Sequence, residues 1–273
     1  MRIYTNQPLS LPHTLIQKHS FSDGETDIMV SEDLTFNPTQ DAALVYFVQK
    51  PINEYITNLL QTITFLQKYH QQITVCLPYL PYMRSKSQFL LHTLSRIGVT
   101  RCITIDAHAD CSLSTLTLKN ISVAEIFAKH IKENHILNKI AIVAPDKGAI
   151  KRCEAIRALL EISSPIIYID KVRMASIPHI EAIHGDVKDK SCILIDDIID
   201  TGKTLCNAAV ALIKEGATNT FAYCTHGVLS KDAIDRVQLA PIKKLIITDT
   251  IHQAEKIETL SISTLITSAL ISN

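Results

Sequence analysis

The sequence lacks an excess of charge of either sign. It contains 27 Lys and Arg residues and 27 Asp and Glu residues, so its formal net charge is zero with His neutral. A balanced chain has no overall electrostatic field that would draw it to nucleic acid or to an anionic membrane surface. We therefore expect no nucleic acid and no membrane among its partners.

Long apolar runs and paired cysteines are missing as well. No apolar run approaches the roughly 18 residues that a membrane-spanning helix needs, and the first residues do not show the charged-then-apolar pattern of a signal peptide. The seven cysteines are scattered and form no C-x-x-C pair. Several of them lie in apolar, strand-like stretches, so we expect reduced, buried thiols and a cytoplasmic protein.

The chain does contain a regular alternation of strand and helix patterns. Its 273 residues, 47% of them hydrophobic, are enough for one large or two small α/β domains. Strands are predicted at 3–4, 42–48, 73–77, 101–106, 140–144, 166–169, 193–195, 220–224 and 244–248. Helices are predicted at 9–19, 52–70, 89–97, 123–131, 150–160 and 204–215, shortly after Ser230, and at 263–271. This alternation predicts parallel sheets with right-handed crossovers.

The stretch from Cys192 to Leu205 carries the most specific signal. Its apolar run at 193–195 predicts a buried parallel strand. Asp196 and Asp197 follow where that strand should end, and a polar loop at 200–204 leads into an Ala-rich helix. Ligands of open α/β sheets bind at the carboxyl ends of strands, and helix N-termini favour phosphate. The alternative is a surface turn with a solvated acidic pair.

Thr201-Gly202-Lys203-Thr204 also invites comparison with the P-loop of nucleotide hydrolases. That motif requires an earlier glycine, which would fall at position 197. Position 197 is Asp, so the sequence does not contain a P-loop.

Other polar residues follow predicted strands: Arg84, His108, Asp146, Lys171 and Arg173. Each is ordinary by itself, since a His after a strand is commonly solvated and Asp146 could simply cap the next helix. Together they combine oxygen and imidazole ligands suited to Mg²⁺ with cations that tolerate negative charge.

The stretch around Asp196 resembles the phosphoribosyl-diphosphate binding loop of the phosphoribosyltransferase fold. The resemblance implies that Asp196 and Asp197 hold the two ribose hydroxyls, and carboxylates do accept hydrogen bonds from a vicinal diol. It also implies that the 5-phosphate is wrapped by Asp200, Thr201, Gly202, Lys203 and Thr204. Backbone donors and Thr hydroxyls suit a phosphate group.

From Phe21 to about Ile271 the order of motifs resembles the ribose-phosphate diphosphokinase family, also called phosphoribosyl pyrophosphate synthetases. The motifs are Phe21-Ser-Asp-Gly-Glu25, Pro78-Tyr79 with Tyr82-Met83-Arg84, Asp106-Ala-His108-Ala, Pro145-Asp146, Asp170-Lys171-Val172-Arg173, His184-Gly185-Asp186-Val187 and Tyr223-Cys224-Thr225-His226. The resemblance implies transfer of the diphosphoryl group of Mg-ATP to the anomeric hydroxyl of ribose 5-phosphate. Phosphoribosyl diphosphate and AMP would be the products, for use in nucleotide biosynthesis.

The same resemblance implies roles for individual residues. Lys171 and Arg173 would be catalytic, and Mg²⁺, the expected cofactor, would be held by His108 and Asp146. The expected ATP-binding residues are Phe21, Asp23, Glu25, Arg84 and His108. In the family, the adenine loop that corresponds to Phe21–Glu25 is lent by a neighbouring subunit. A homo-oligomer, at least a dimer, with a shared active site is therefore expected.

The implied architecture is two tandem phosphoribosyltransferase-like domains, each a mainly parallel sheet flanked by helices. A polar break at Asn134-His135 divides the chain into residues 1–134, with the adenine loop on the ATP side, and 135–273, with the ribose 5-phosphate loop. Two alternatives remain: a phosphoribosyltransferase that uses the same ribose loop, and a non-catalytic or regulatory homologue.

Departures from the family pattern follow Arg84. The family continues with Gln-Asp and a longer segment, whereas this chain has Ser85-Lys86 and soon enters the helix predicted at 89–97. The missing segment contributes to phosphate-dependent regulation in the family. We therefore expect little allosteric control by phosphate or ADP, and Ser85-Lys86 is the main support for a non-catalytic homologue.

Overall fold

The computed structural model describes residues 1–30, 41–84, 88–108, 113–174, 177–253 and 257–271, with the backbone alone at 171–174 and 177–181. The chain forms two compact units. The first comprises Met1–Ile121, Thr250–His252 and Ile262–Asn273, and the second comprises Ser122–Asp249 and Gln253–Ser261.

The first unit is built on a seven-stranded sheet. Its strands are β1 (Arg2–Thr5), β2 (Thr14–Ser20), β3 (Thr26–Val30), β4 (Ala42–Val45), β5 (Ile73–Leu77), β6 (Arg101–Ile105) and β7 (Thr117–Ile121). Two helices, α1 (Ile52–Leu66) and α2 (Phe89–Arg96), connect strands of this sheet. The order is β3-β2-β1-β4-β5-β6-β7, and only β2 and β3 pair antiparallel.

The second unit is built on another seven-stranded sheet. Its strands are β8 (Ile140–Ala144), β9 (Ile167–Met174), β10 (Ile177–His184), β11 (Ser191–Ile199), β12 (Asn219–Gly227), β13 (Ile242–Thr248) and β14 (Glu258–Leu260). Its helices are α3 (Ala124–Asn134), α4 (Ile150–Leu159), α5 (Lys203–Lys214) and α6 (Ala233–Leu239). The last helix of the chain, α7 (Ser263–Ile271), belongs to the first unit.

The two sheets have the same topology. The second sheet runs β10-β9-β8-β11-β12-β13-β14, and only β9 and β10 pair antiparallel. The positions correspond one to one, so that β8 matches β1, β9 matches β2 and so on to β14, which matches β7. Each sheet ends in an antiparallel hairpin at one edge. The predicted fold class, two tandem α/β domains with mainly parallel sheets, is confirmed.

Central strands explain the apolar runs of the sequence. β11 pairs with β8 on one side and β12 on the other, and its residues Ile193, Leu194 and Ile195 are 0% exposed. A parallel strand covered by helices on both faces has no polar face, so its sequence is continuously apolar. Six cysteines in the described part of the chain are buried free thiols, as predicted: Cys76, Cys102, Cys153, Cys192, Cys206 and Cys224.

Within the described residues, we find no helix with both the length and the apolar character required to cross a bilayer. The longest, α1, has 15 residues and buries only one face. Its buried positions recur at helical spacing, which is typical of an amphipathic helix packed on a sheet.

The predicted helix at 9–19 is wrong, because residues Thr14–Ser20 form β2. This strand pairs with β1 on one side and with β3 on the other. Tertiary pairing of this kind overrides local helix propensity, since ladder hydrogen bonds are gained on both sides.

Four short or edge strands were not predicted: β3, β7, β10 and β14. In β10, Pro178 breaks the usual strand pattern, but this strand lies at the sheet edge, where a residue without an N–H donor is tolerated. The stretch 174–179 falls largely in this hairpin. Within it, residues 175–176 lie outside the described part.

The compact units differ from the predicted division at 134/135. Helix α3 belongs to the second unit, where the Phe127 ring lies 5.4 Å from the Tyr223 ring and His130 Nδ1 lies 2.9 Å from the Tyr223 hydroxyl. These contacts place 122–134 with the residues that follow. Asn134 and His135 lie at the end of α3, and the domain boundary between them stays a prediction.

Candidate active site

Asp196 and Asp197 lie near the carboxyl end of β11, in the middle of the second sheet. The strand continues through Ile199, so the two carboxylates belong to it and do not follow it as the sequence suggested. They are 9% and 8% exposed. The N–H of Asp197 donates to Oδ1 of Asp196, and the N–H of Ile198 donates to Oδ1 of Asp197, each at 2.9 Å. These bonds fix the orientation of both side chains.

Charged side chains from other elements lie near the carboxylate pair. Nη2 of Arg152, on α4, lies 3.5 Å from Oδ2 of Asp197. The pKa of Asp196 is raised well above its ordinary value, first by burial and then by the nearby charges of Asp197 and Asp146, while Arg152 opposes the shift. A ligand that donates hydrogen bonds or carries positive charge would stabilise this group. Sequence reasoning missed Arg152, because nothing local marks a helical Arg as the partner of a distant Asp.

The loop at 200–204 forms a tight turn between β11 and α5. Gly202 has φ +74°, and a Cβ added there would lie 3.4 Å from Cγ2 of Val237, so this position favours glycine. The guanidinium of Arg236 donates to the carbonyl of Thr201, and the N–H of Ser230 donates to the carbonyl of Asp200 at 2.9 Å. The residues that follow β12 and those of α6 therefore hold the loop in place.

The loop ends at the N-terminus of a full helix. α5 begins at Lys203, whose side chain is exposed, and extends for 12 residues. The first N–H groups of a helix have no partner within the helix and favour a bound anion. The five predicted phosphate residues therefore span the turn and the first residues of α5, and their binding of a phosphate stays a prediction.

Asp146 follows β8 and caps a short 3₁₀ helix at Lys147–Ala149. Its Oδ1 accepts a hydrogen bond from the N–H of Gly148 at 3.0 Å. The capping interpretation of Asp146 is thus confirmed. Its influence on the pKa of Asp196 shows that it also contributes negative charge to the same region.

Lys171 and Arg173 lie within β9, whereas the sequence placed them after a strand. Their backbones pair with Ile180 and Pro178 of β10. Both catalytic candidates are therefore carried on an edge hairpin, at alternate positions of one strand. Their side chains lie outside the description, so their catalytic role stays a prediction.

In the first unit, Phe21–Glu25 forms the turn of the β2–β3 hairpin. The N–H of Phe21 donates to the carbonyl of Glu25 at 2.8 Å, and the N–H of Glu25 donates to Oδ1 of Asp23 at 3.0 Å. The Phe21 side chain is 50% exposed and lies edge-on to His19, with ring centroids 4.8 Å apart. An aromatic ring presented on an ordered turn is suited to contact with an adenine ring.

Arg84 and His108 follow β5 and β6, and both side chains are exposed. Their neighbours at 85–87 and 109–112, including Ser85-Lys86, lie outside the described residues. In the part of the chain that is described, no group of three or more His, Cys, Asp or Glu side chains is arranged to hold a metal ion. His108 belongs to the first unit and Asp146 to the second. Their joint role with Mg²⁺ stays a prediction.

Comparison with known proteins agrees with this geometry. The family model described as "N-terminal domain of ribose phosphate pyrophosphokinase" matches residues 5–92, and "Phosphoribosyl synthetase-associated domain" matches residues 164–273. Ribose-phosphate pyrophosphokinase of Agrobacterium fabrum is 33% identical over 91% of this chain and 82% of its own. The protein of that name from Bradyrhizobium diazoefficiens is 32% identical over 97% of this chain and 88% of its own.

A solved structure supports the fold. Phosphoribosylpyrophosphate synthetase from Mycobacterium smegmatis superposes with a TM-score of 0.85, covering 98% of this chain and 97% of its own, at 24% identity. The fold and the strand-end carboxylates define a protein with two phosphoribosyltransferase-like domains. The sequence relatives are more specific: the chain belongs to the ribose-phosphate pyrophosphokinase family.

Proposed function

We propose that the protein transfers the diphosphoryl group of ATP to the anomeric hydroxyl of ribose 5-phosphate. The attacking hydroxyl oxygen bonds to the β-phosphorus, the bond between that phosphorus and the oxygen bridging to the α-phosphate breaks, and AMP leaves. The observation that carries the proposal is the buried pair Asp196 and Asp197 on β11, separated by two residues from the loop that begins at Asp200. Relatives named for this activity, matching nearly the whole chain, support it.

The second unit provides the ribose side of the reaction. The ribose hydroxyls would donate to Asp196 and Asp197, the second of which lies 3.5 Å from Nη2 of Arg152. The 5-phosphate would be held by the N–H groups at the start of α5 and by the hydroxyls of Thr201 and Thr204. This arrangement fixes the sugar at two points, which orients its anomeric hydroxyl.

The ATP side combines residues of both sequence halves. Phe21, Asp23 and Glu25 would bind adenine and ribose, and Arg84 with His108 would bind the phosphates. Lys171 and Arg173, carried by β9, would stabilise the negative charge that develops as the diphosphoryl group moves. Such transfers depend on positioning and on charge neutralisation more than on covalent help.

The chemistry of the residues near Asp146 suits a magnesium ion. Asp146 and Asp196 place carboxylate oxygens, the ligands Mg²⁺ prefers, close enough together to raise the pKa of Asp196. Asp146 and His108 are the residues that would hold the ion. When bound, Mg²⁺ would neutralise charge on the phosphate oxygens of ATP.

The turn at Phe21–Glu25 also supports a shared active site. Its exposed aromatic ring stands at the tip of an edge hairpin, where a second copy of the chain could receive it. We propose a homo-oligomer, at least a dimer, in which this turn completes the ATP site of a neighbour.

A single assay tests the proposed function. Purified protein is incubated with ATP, Mg²⁺ and ribose 5-phosphate, and the products are followed by ³¹P NMR. We expect AMP and a diphosphate ester in equal amounts, formed only when both substrates are present. Formation of ADP, or release of pyrophosphate only from added phosphoribosyl diphosphate and a nucleobase, would contradict the proposal. Ribose without its phosphate is the matched control substrate.

A further inference from the structure

The β9–β10 hairpin leaves the second sheet early. β9 pairs with β8 at only two positions, Val143 with Ile167 and Ala144 with Tyr168. Among the described residues, the rest of β9 pairs with β10 alone. The hairpin beyond Tyr168 is therefore an arm, attached to the sheet at its base, and it carries the backbones of Lys171 and Arg173.

Asp170 lies where the arm leaves the sheet and receives a contact from each side. Nζ of Lys147, in the turn after β8, lies 2.8 Å from its Oδ1. Nε2 of His184, at the end of β10, lies 2.9 Å from its Oδ2. The His184 ring stacks on the Tyr168 ring, with centroids 4.4 Å apart and an interplanar angle of 13°.

The chain is also constrained directly after His184. Gly185 has φ +123°, and a Cβ added there would lie 2.8 Å from Cγ1 of Ile167. The base of the arm is thus closely packed. The contacts to Asp170 lie immediately outside this packed base, at the point where bending of the arm would begin.

We propose that Lys147, Asp170 and His184 form a brace that positions the arm for the transfer reaction. The inference rests on the proposed function, because it assigns the arm its catalytic Lys171 and Arg173. Lys147 neighbours Asp146 in the sequence, so the brace links the turn that carries Asp146 to the strand that carries Lys171. Its members are positioning residues and do not themselves touch the reacting atoms.

Electrostatics supports an ionised bridge at Asp170. The hydrogen bond from Lys147, the largest influence, and that from His184 together lower the pKa of Asp170. Exposed ion pairs contribute little to global stability, because water screens them. Loss of the brace should therefore leave the protein folded and change mainly the orientation of the arm.

The test compares two pairs of variants with a matched control. Lys147→Ala and His184→Ala remove one contact each, while Lys147→Arg and His184→Gln keep a donor at a similar reach. Glu154→Ala is the control, because it breaks another surface pair, with Nε of Arg157 lying 2.7 Å from Oε2 of Glu154 on α4. Amide hydrogen exchange of peptides covering 167–184 is measured together with kcat and KM.

In the two Ala variants we expect faster exchange in 167–184, a loss of kcat of about tenfold to a hundredfold, and KM values within about twofold of the parent. The Arg and Gln variants should recover part of kcat, and Glu154→Ala should match the parent. Unchanged exchange in the arm would overturn the brace, whether or not the parent is active. Faster exchange with unchanged kcat in an active parent would overturn the positioning role. A parent that forms no AMP would contradict the proposed function alone, since the exchange result still decides the brace.

Discussion

Near the carboxyl end of β11, the neighbouring carboxylates of Asp196 and Asp197 have different surroundings. Asp197 lies near the guanidinium of Arg152, whereas Asp196 is buried beside two other carboxylates and has a raised pKa. Holding a charge in such a place is unfavourable without a ligand. A bound sugar diol or cation would lower that cost, because it would donate hydrogen bonds or positive charge to the carboxylates.

Removing both charges should abolish binding of ribose 5-phosphate while ATP still binds. In the double variant Asp196→Asn with Asp197→Asn, each lost charge-assisted contact should cost roughly 1.5–3 kcal/mol. Calorimetric titration with each substrate measures this directly. Asp235→Asn, the same change at an exposed site on α6, is the control. An unchanged affinity for ribose 5-phosphate would refute the assignment of the ribose site.

The single variant Asp196→Asn should be more stable than the parent at neutral pH. Because the folded-state pKa of Asp196 is raised, mainly by burial, the folded protein binds more protons than the unfolded chain between the ordinary pKa of about 3.9 and the raised value. The parent protein therefore becomes less stable as the pH rises from the ordinary pKa of Asp to the raised pKa of Asp196.

Asn does not ionise, so the Asp196→Asn variant does not lose stability as the pH rises. We expect its free energy of unfolding to exceed that of the parent by about 0.5–2 kcal/mol at pH 7, and by less near pH 4. Urea unfolding of both proteins at the two pH values checks the sign. A variant less stable than the parent at pH 7 would mean that attraction to Arg152 outweighs the cost of burial.

At the scale of elements, the turn between β11 and α5 depends on one backbone conformation. Gly202→Ala would place a Cβ 3.4 Å from Cγ2 of Val237 at φ +74°. We expect a loss of about 1–2 kcal/mol in the free energy of unfolding, because L residues with a Cβ disfavour this region. We also expect weaker binding of ribose 5-phosphate. Thermal unfolding and titration measure the two effects, and Ala at the exposed helical position Asn207 is the control.

The β9–β10 hairpin is the element on which catalysis should depend most. We expect Lys171→Ala to lower kcat by about a hundredfold, roughly 2.7 kcal/mol, with little rise in KM. The reason is that the cation should interact with the transferring phosphates more strongly in the transition state than in the ground state. Lys214→Ala, at the exposed end of α5, is the matched control. Turnover equal to the parent would remove Lys171 from the mechanism.

At the scale of the whole molecule, two inactive variants should restore one another. Phe21→Ala damages the turn that we propose is lent to a neighbour, and Lys171→Ala damages the receiving site. Each variant alone should be nearly inactive, whereas a mixture should regain part of the parent activity through mixed sites. Activity is measured after subunit exchange has been verified with labelled subunits. Exchange without recovery would contradict the shared site and leave the assignment of Lys171 intact.

The alternating architecture and most of the central strands could be predicted from the order of residues along the chain. Buried parallel strands such as 193–195 must be apolar on both faces, so they are readable from composition alone. The pair Asp196-Asp197 and the loop at 200–204 were equally visible, because strand, carboxylates, turn and helix follow one another without interruption. A site built from consecutive residues can be recognised in the sequence, because its residue types appear side by side.

Features that join distant residues could be seen only in the folded chain. Residues 14–20 became a strand through pairing on both sides, and β10 kept Pro178 because it lies at an edge. Helix α3 joined the second unit through contacts with Tyr223. The contact of Arg152 with Asp197, and those of Lys147 and His184 with Asp170, join side chains that no sequence spacing relates. Such contacts depend on which strands and helices become neighbours, and that is fixed only when the sheets assemble.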